Sequence, residues 1–453
     1  MRFATFGCWN NSNNTKDENK EPYFNDVIDT FNLVDKNSTD FVVVTGDNYY
    51  PKKIKTDKGK YSVFTDTHFS NGFDKLKSID KPVYLLMGNH DLQYENWENP
   101  EETGLVNHDK DECHIINKII TESNSIPNNI DIKKTIFIKE NNLFIFLNTN
   151  YFDTSIKMED CNYIYENEQE KQQEKQQEKQ QEKQEKQQEK QEKQEKQQEK
   201  QQEKQQEKQE QEGKTEQEGK TEQEGKTEQG KIKEEKMMEY INKIKSDINK
   251  IKSDISNIQN VFIFGHHPIY ASKQKTTKTQ NKIKSQLFNK DGIELIYHIC
   301  SEFTTTRVYY ICADVHQYQS STLEITKKDN KTITIPQYVV GTGGAELDDC
   351  VADNTVMNGK MYDEFGITYK RIDDCKTEYG YLSVDIPDDI PGDNKQKEPT
   401  FTFTNIPDTD NDNTGKKGGT TKKKNKFSKK KRINNSKMKK RKTRRRKYTK
   451  KKH

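Results

Sequence analysis

Four stretches of the chain share one pattern: an uninterrupted apolar run, a small residue, and then polar side chains. They cover residues 42–50, 83–91, 261–268 and 308–316. The apolar runs lack the alternation of a half-buried strand, so they predict strands covered on both faces of a sheet. Ligands in α/β proteins usually bind at the carboxyl ends of such strands. The polar residues that follow each run are therefore the candidate functional residues.

Other parts of the pattern predict the elements around these strands. Apolar residues at helical spacing predict amphipathic helices over residues 24–36, 69–79 and 237–260, and isoleucines line one face of the last. That helix leads into the strand at residue 261, as a crossover helix does. Strands are also expected over 2–7, over 136–148 as a pair with a turn, and over 322–326, 332–335, 338–340 and 381–386. Residues 52–60 are expected to form a charged, mobile loop.

Two segments carry a pattern that cannot bury a core. Residues 168–211 repeat Lys-Gln-Gln-Glu and Lys-Gln-Glu without one apolar residue. They favour a frayed, solvated helix with the composition of a coiled coil, and glycine-containing units follow. The predicted division is a first domain part over 1–163, a low-complexity insert over 164–236, a second domain part over 237–406 and a disordered basic tail over 407–453.

The charge of the chain is distributed very unevenly. The net charge is +3, but residues after 415 hold 22 Lys and Arg and no Asp or Glu, so residues 1–415 carry −19. A basic tail this dense predicts an import-receptor signal, a nucleic-acid arm or another polyanion-binding segment. The alternative is a solubilising tail that folds back onto the acidic body. Only 29% of the residues are hydrophobic, yet about 330 residues outside the two biased segments suffice for one large core.

The cysteines and the first residues indicate a compartment. Seven cysteines are scattered without a Cys-x-x-Cys pair, which favours mostly reduced thiols. The first predicted strand begins at Arg2, which leaves no room for a signal peptide, and no apolar run is long enough for a membrane span. These features predict an intracellular protein, cytoplasmic or nuclear.

Taken together, the four strand ends resemble those of the calcineurin-like metallophosphoesterase superfamily. The tyrosine three residues after the central aspartate, as in Gly46-Asp47-Asn48-Tyr49-Tyr50, is similar to the purple acid phosphatase branch. The resemblance covers roughly residues 2–155 and 237–390. It implies an α/β fold, a four-layer αββα sandwich of two mixed sheets with helices outside. It also implies hydrolysis of phosphate esters at a pair of metal ions.

The resemblance implies roles for individual residues. Asp47 would bridge the two metals, Tyr50 and His316 would bind the first, and Asn89 and His266 would bind the second. His90 would contact phosphate and protonate the leaving group, with Asp91 holding its other ring nitrogen. His267 would lie beside the phosphate, although a plain loop histidine is the simpler alternative.

Two positions depart from the family pattern. Cys8 stands where the family has an aspartate that binds the first metal, and Asp314 stands where it has a histidine. Both can coordinate a metal, so two divalent or mixed-valence ions, iron, zinc or manganese, are expected. Cys8 could instead be an inert buried thiol. The leading hypothesis is an acid-phosphatase-like phosphomonoesterase, and the alternative is a degenerate phosphoesterase used as a binding scaffold.

Overall fold

Two large β-sheets organise the part of the chain that the structure describes. The structure is a computed structural model, and it describes residues 1–16, 21–50, 52–56, 59–63, 66–92, 119, 130–132, 134–152, 228–251, 258–276, 281–351, 365–387 and 398–406. The predicted insert lies outside these residues up to residue 227, and so does the predicted tail. The compact unit that contains the described residues ends at Ile406.

The helices and strands follow one another along the chain, beginning with a strand at Arg2. They are β1 (Arg2–Phe6), α1 (Tyr23–Val34), β2 (Phe41–Val44), β3 (Lys52–Thr56), β4 (Gly59–Val63), α2 (Asp66–Lys77), β5 (Val83–Leu85), α3 (Asn89–Leu92), β6 (Ile130–Asp131), β7 (Ile136–Lys139), β8 (Asn142–Phe146), a 3-10 helix (Thr149–Phe152), α4 (Glu228–Lys250), β9 (Asn260–Phe264), β10 (Tyr270–Thr276), β11 (Asn281–Leu287), α5 (Lys290–Glu302), β12 (Arg307–Cys312), β13 (Tyr318–Lys327), β14 (Thr332–Val340), β15 (Asp349–Cys350), β16 (Phe365–Lys376), β17 (Gly380–Asp385) and β18 (Thr400–Asn405).

Both large sheets are mixed, with their parallel strands in the middle. The first has the order β18-β17-β1-β2-β5-β6, and the second has the order β16-β13-β14-β12-β9-β8-β7. Parallel pairing joins β1 to β2 and β2 to β5 in the first sheet. It joins β8 to β9 and β9 to β12 in the second. The strands that carry the candidate residues are therefore neighbours, and their carboxyl ends lie at one edge of each sheet.

Three apolar clusters explain why these strands have no polar face. One cluster contains residues of both sheets, such as Phe3 and Val43 of the first with Phe144 and Phe262 of the second. A second joins the opposite face of the first sheet to α1 and α2. A third joins the opposite face of the second sheet to α4 and α5. The central strands are covered on both sides, which is why their apolar runs are continuous.

Most predicted elements agree with the structure in kind, and their ends differ. Helix α4 begins at Glu228, before the predicted boundary, and ends at Lys250; Ile258 is buried but lies outside the helix. The two short strands expected over 332–340 form one strand, β14. The expected loop over 52–60 is wrong, because β3 and β4 pair there and place Ile54 opposite Tyr61. Strands β10, β11, β16 and β18 were not predicted.

Two further findings bear on the predicted compartment. Cys350 and Cys375 form a disulfide that ties β15 to β16. The expectation of mostly reduced thiols is therefore wrong for this pair, and disulfides persist mainly in oxidising surroundings. Among the described helices, none combines the length and the apolar character that crossing a membrane requires.

Candidate metal centre

The candidate residues meet where the parallel strands of the two sheets end. Cys8 follows β1, Asp47 and Tyr50 follow β2, and Asn89 opens the short helix after β5. His266 and His267 follow β9, and Asp314 and His316 follow β12. The strand register places these ends side by side within each sheet. All of the metal-ligand candidates predicted from the sequence are therefore brought to one place.

The backbone at three of these strand ends is left-handed. Cys8 and Asp47 have φ of 53°, and Asp314 has φ of 58°. Residues other than glycine adopt this region rarely, and such strain is concentrated at functional sites. Gly46 turns the chain before Asp47 with φ of 93°, and a Cβ there would lie 2.8 Å from the Gly88 backbone nitrogen. The sharp turns aim side chains from two neighbouring strands of the first sheet, β1 and β2, and from β12 of the second sheet at a common point.

Asp47 lies at the centre of the arrangement. Its side chain is almost fully buried, and its two carboxylate oxygens face different neighbours. Oδ2 accepts a hydrogen bond of 2.6 Å from the Tyr50 hydroxyl and lies 3.8 Å from the Cys8 sulfur. Oδ1 accepts the His90 backbone N–H at 2.9 Å and lies 3.2 Å from His266 Nε2. One carboxylate thus joins two sets of potential ligands.

The first set, called the first donor group, consists of Cys8, Tyr50 and His316. The ligand atoms of Cys8, Asp47 and His316 all lie within 4.8 Å of one another. His316 Nδ1 lies 2.7 Å from the Glu346 carbonyl oxygen and must donate to it, which leaves Nε2 without a hydrogen in the neutral ring. Nε2 is 3.2 Å from the Tyr50 hydroxyl, whose single hydrogen is already directed at Asp47.

Burial controls the protons of the first donor group. Burial, reinforced by the charges of Asp47 and Asp314, raises the pKa of Cys8 well above its ordinary value. Burial and Asp47 likewise raise the pKa of Tyr50 well above its ordinary value. Burial lowers the pKa of His316. Without a cation the group therefore holds a thiol, a phenol and a neutral imidazole.

The second set, called the second donor group, consists of Asn89, His266 and Asp314. His266 Nδ1 lies 2.7 Å from the Thr45 carbonyl oxygen, so Nδ1 is the donor there. Its Nε2 lies 3.0 Å from Asn89 Oδ1 and 3.8 Å from Asp314 Oδ1, in addition to Asp47. Three side chains thus direct acceptor oxygens at one ring nitrogen.

Charge pairing within this region is strong. Burial alone would lower the pKa of His266, but Asp47 and Asp314 outweigh it and raise the pKa to about 9. Burial would raise the pKa of Asp47, yet His266 and His90 hold it well below its ordinary range. In the absence of another cation, a proton on His266 is what neutralises the carboxylates around it.

This donor set fits a metal. Sulfur, carboxylate, imidazole, phenol and amide oxygen are the ligands that iron, zinc and manganese take in proteins. Asp314 Oδ2 is buried and has no hydrogen-bond partner among the described residues. The Tyr50 hydroxyl has one hydrogen but faces two acceptors, Asp47 Oδ2 and His316 Nε2. His266 Nε2 can carry one hydrogen but faces oxygens of Asn89, Asp47 and Asp314. Cations would satisfy these oxygens and nitrogens, whereas protons cannot satisfy all of them.

His267 has a different environment from His266. The Thr149 hydroxyl oxygen accepts the backbone N–H groups of both histidines at 3.0 Å. Its own hydrogen is then available for His267 Nδ1, which is also 3.0 Å away. This arrangement puts the ring hydrogen of neutral His267 on Nε2. A nitrogen that carries a hydrogen donates, so His267 is better suited to contact an oxygen than to bind a metal.

His90 and Asp91 differ from the expectation in one respect. The Asp91 carboxylate accepts from the Asn48 backbone and side chain and from the Gly88 backbone, at 2.7–2.8 Å. The prediction that Asp91 holds the His90 ring is therefore wrong. Asp91 instead joins the loop after β2, which carries Asp47, to the loop after β5. The His90 ring packs on Tyr50, with 4.6 Å between centroids, and is half-buried at the rim of the centre.

The sequence did not predict three residues that support the centre. Thr149 orients both histidines, Glu346 fixes the His316 ring, and Asp348 accepts the His316 backbone N–H at 3.1 Å. Thr149 had a detectable signal, because polar residues follow the apolar strand β8 just as they follow the other central strands. Glu346 and Asp348 lie in a loop without such a pattern.

Comparison with known proteins agrees with this geometry. Residues 1–196 match the family model described as calcineurin-like phosphoesterase. Over these residues the chain is similar to that family. The family resemblance predicted from the sequence is thus confirmed over the matched residues. The matched region contains Cys8, Asp47, Tyr50 and Asn89, while the other proposed metal ligands lie after it.

One similar solved structure is described as "Structure of PhoD". It is 12% identical to this chain, with a TM-score of 0.38, and the match covers 85% of this chain and 63% of that one. The chain therefore spans less than two thirds of the length of that structure. No match was found among curated proteins.

Proposed function

We propose that the chain is a binuclear metal-dependent phosphoesterase that hydrolyses phosphomonoesters, similar to the purple acid phosphatase branch. One observation carries the proposal: the two oxygens of Asp47 face two separate donor groups. A bridging carboxylate between two sets of neutral or anionic donors is what a pair of metals requires. In this proposal Cys8, Tyr50 and His316 hold the first metal, and Asn89, His266 and Asp314 hold the second.

The metals would be iron, zinc or manganese, and when bound they would neutralise phosphate oxygens and supply a nucleophilic hydroxide. The chain's own residues would do the remaining work. His267 presents Nε2–H beside Asp314 and would donate to a phosphate oxygen. His90 is half-buried at the rim and would contact the substrate and protonate the leaving group. Tyr50 supports the His90 ring by stacking.

The finer architecture belongs to the same proposal. The three apolar clusters support a four-layer αββα sandwich, because one lies between the sheets and the others lie under helices. We also propose the division into 1–163, 164–236, 237–406 and 407–453, with the basic tail binding nucleic acid, import receptors or other polyanions. An intracellular place, cytoplasmic or nuclear, stays a prediction.

The second candidate is a phosphoesterase fold that serves as a binding scaffold with little activity. It is favoured by Cys8, which is fully buried and whose pKa is raised by burial and by Asp47. If Cys8 stays a thiol, the first donor group holds only Tyr50 and His316 besides Asp47. A weakly held first metal would then leave the second alone, without a partner to activate the nucleophile.

Asp47→Asn tests the proposal, because it removes the shared negative charge while keeping the shape. We expect about two metals per chain in the wild type by elemental analysis, and hydrolysis of 4-nitrophenyl phosphate. The Asp47→Asn variant should lose most of its bound metal and most of its hydrolytic activity. Asp80→Asn is the matched control, since Asp80 is also left-handed, with φ of 52°, but is 88% exposed on its side chain. An Asp47→Asn protein with two metals and full activity would show that the site is wrongly assigned. Two metals in the wild type without hydrolysis would favour the scaffold.

A further inference from the structure

A lysine-rich hairpin leaves the metal centre directly after the two histidines. Strand β10 begins at Tyr270, three residues after His267, and pairs antiparallel with β11. Residues 270–287 hold five lysines and no Asp or Glu. The body they belong to is strongly acidic, with −19 over residues 1–415. The hairpin is therefore a local concentration of positive charge on a negative protein.

The register of the hairpin places its lysines opposite one another. Lys273 pairs with Lys284. Directly opposed residues of an antiparallel pair lie on the same face, about 5 Å apart between Cα atoms. Like charges at such positions destabilise a sheet. An anion bound beside Lys284 would relieve this repulsion.

The first of these lysines is connected to the metal centre. Lys273 Nζ lies 3.0 Å from Asp348 Oδ2, and both side chains are mostly buried. The same oxygen of Asp348 accepts the His316 backbone N–H. Asp348 therefore neutralises Lys273 and holds it next to a ligand of the first donor group. Lys284, opposite Lys273, is exposed and has no ion-pair partner among the described residues.

We propose that Lys284, positioned beside Lys273, is a subsite for a second phosphate group of the substrate. This rests on the proposed function, since the first phosphate would occupy the metal centre. The substrate class is then a small compound with two or more phosphates in a row, such as a condensed phosphate or a nucleotide. An extended nucleic acid fits less well, because the acidic body outside the hairpin would repel it.

Lys284→Glu tests the subsite with two substrates. Tripolyphosphate presents neighbouring phosphates, while 4-nitrophenyl phosphate presents one. We expect KM for tripolyphosphate to rise about tenfold, because charge reversal turns an attraction of neighbouring charges into a repulsion. The rise for 4-nitrophenyl phosphate should be at least about fivefold smaller. The advantage of the wild type should shrink as salt is added.

Lys328→Glu is the matched control. It makes the same charge change at an exposed position just beyond the far end of β13, about 30 Å along that strand from its first residue, Tyr318, at 3.3 Å per residue. KM for both substrates should match the wild type. Equal rises for both substrates in Lys284→Glu would overturn the subsite, and so would an unchanged KM for tripolyphosphate.

A binding measurement separates this proposal from the proposed function. Calorimetric titration of the metal-loaded protein with tripolyphosphate needs no turnover. Affinity about tenfold lower in Lys284→Glu, and unchanged in Lys328→Glu, supports the subsite even if no substrate is hydrolysed. Equal affinity in both variants overturns it. If a single-stranded oligonucleotide bound the wild type more tightly than tripolyphosphate and Lys284→Glu weakened that binding, the subsite would be overturned in favour of a nucleic-acid surface on the hairpin.

Discussion

The two donor groups share Asp47 but differ in the protons that they must lose. In the first donor group, burial and Asp47 keep both the Cys8 thiol and the Tyr50 phenol protonated. In the second, Asn89 and Asp314 offer oxygens directly, and only His266 carries a proton to displace. Because each displaced proton weakens binding, the second group should fill first. The second donor group is thus ready to bind a metal, whereas the first donor group must lose two protons before it can bind one.

The largest effect should come from a change in the second donor group. Asp314→Ala removes a charged donor of the proposed second metal site, whose Oδ1 lies 3.8 Å from His266 Nε2. Loss of a supporting partner already lowers metal affinity or activity by about 10–100-fold, so we expect at least a hundredfold fall in kcat/KM. Elemental analysis should show less than one metal at the second group. Asp314→His restores the family's residue and should keep both metals; a fall as large as that of Asp314→Ala would contradict the assignment.

Substitutions of Cys8 test the first donor group. Cys8→Ala should lose the first metal and retain the second, with activity about 10–100-fold lower. In the cobalt-loaded wild type, thiolate-to-cobalt absorption should appear only with the second equivalent of metal. Cys8→Asp should keep two metals and shift the preference from zinc towards iron. If Cys8→Ala leaves the metal content unchanged, Cys8 is only packed.

A smaller effect should follow from Thr149, which serves both histidines. Thr149→Val removes the acceptor of two buried N–H groups and the donor to His267. We expect a loss of stability of about 1–3 kcal/mol, measured by denaturant unfolding. Hydrolysis of alkyl and aryl phosphates should fall by similar factors, because His267 is assigned to the phosphate group and not to the leaving group. Thr149→Ser keeps the hydroxyl and should behave like the wild type.

The smallest effect is expected from the low-complexity repeat, which belongs to neither donor group. A chain that joins residue 165 through a short linker to Glu228, where α4 begins, should retain its metals and its activity. The repeat has no apolar residue to bury, so the melting temperature should move by less than about 2 °C. A fall well beyond this would show that the repeat packs on the body.

The sequence revealed the centre because its strands are buried on both faces. The apolar runs that end near Gly46, Gly88 and Gly265 are continuous because both faces of these strands are buried. The end of each run therefore marks the end of a central strand. The ligands follow within a few residues of those glycines. The pattern therefore predicted where the ligand candidates lie, and the family resemblance supplied the role of each one.

The remaining features depend on contacts between distant segments. Strands β10 and β11 were not predicted, because their lysines, serines and glutamines leave no alternation of apolar and polar residues. Their strand character comes from pairing with each other and with β15. Glu346 and Asp348 reach His316 from about 30 residues away along the chain. No periodicity identifies such partners, since only the folded loop brings them near.

The two kinds of cysteine near the first donor group have opposite redox requirements. Cys350 lies shortly after Glu346 and Asp348 in the chain, and its disulfide with Cys375 needs oxidising conditions to form. Cys8 must stay reduced to act as a ligand. Both states can coexist only if oxidants reach the surface pair and not the interior thiol. The complete burial of Cys8 provides that separation, so access by solvent, rather than the redox poise of the surroundings alone, decides whether the centre stays intact.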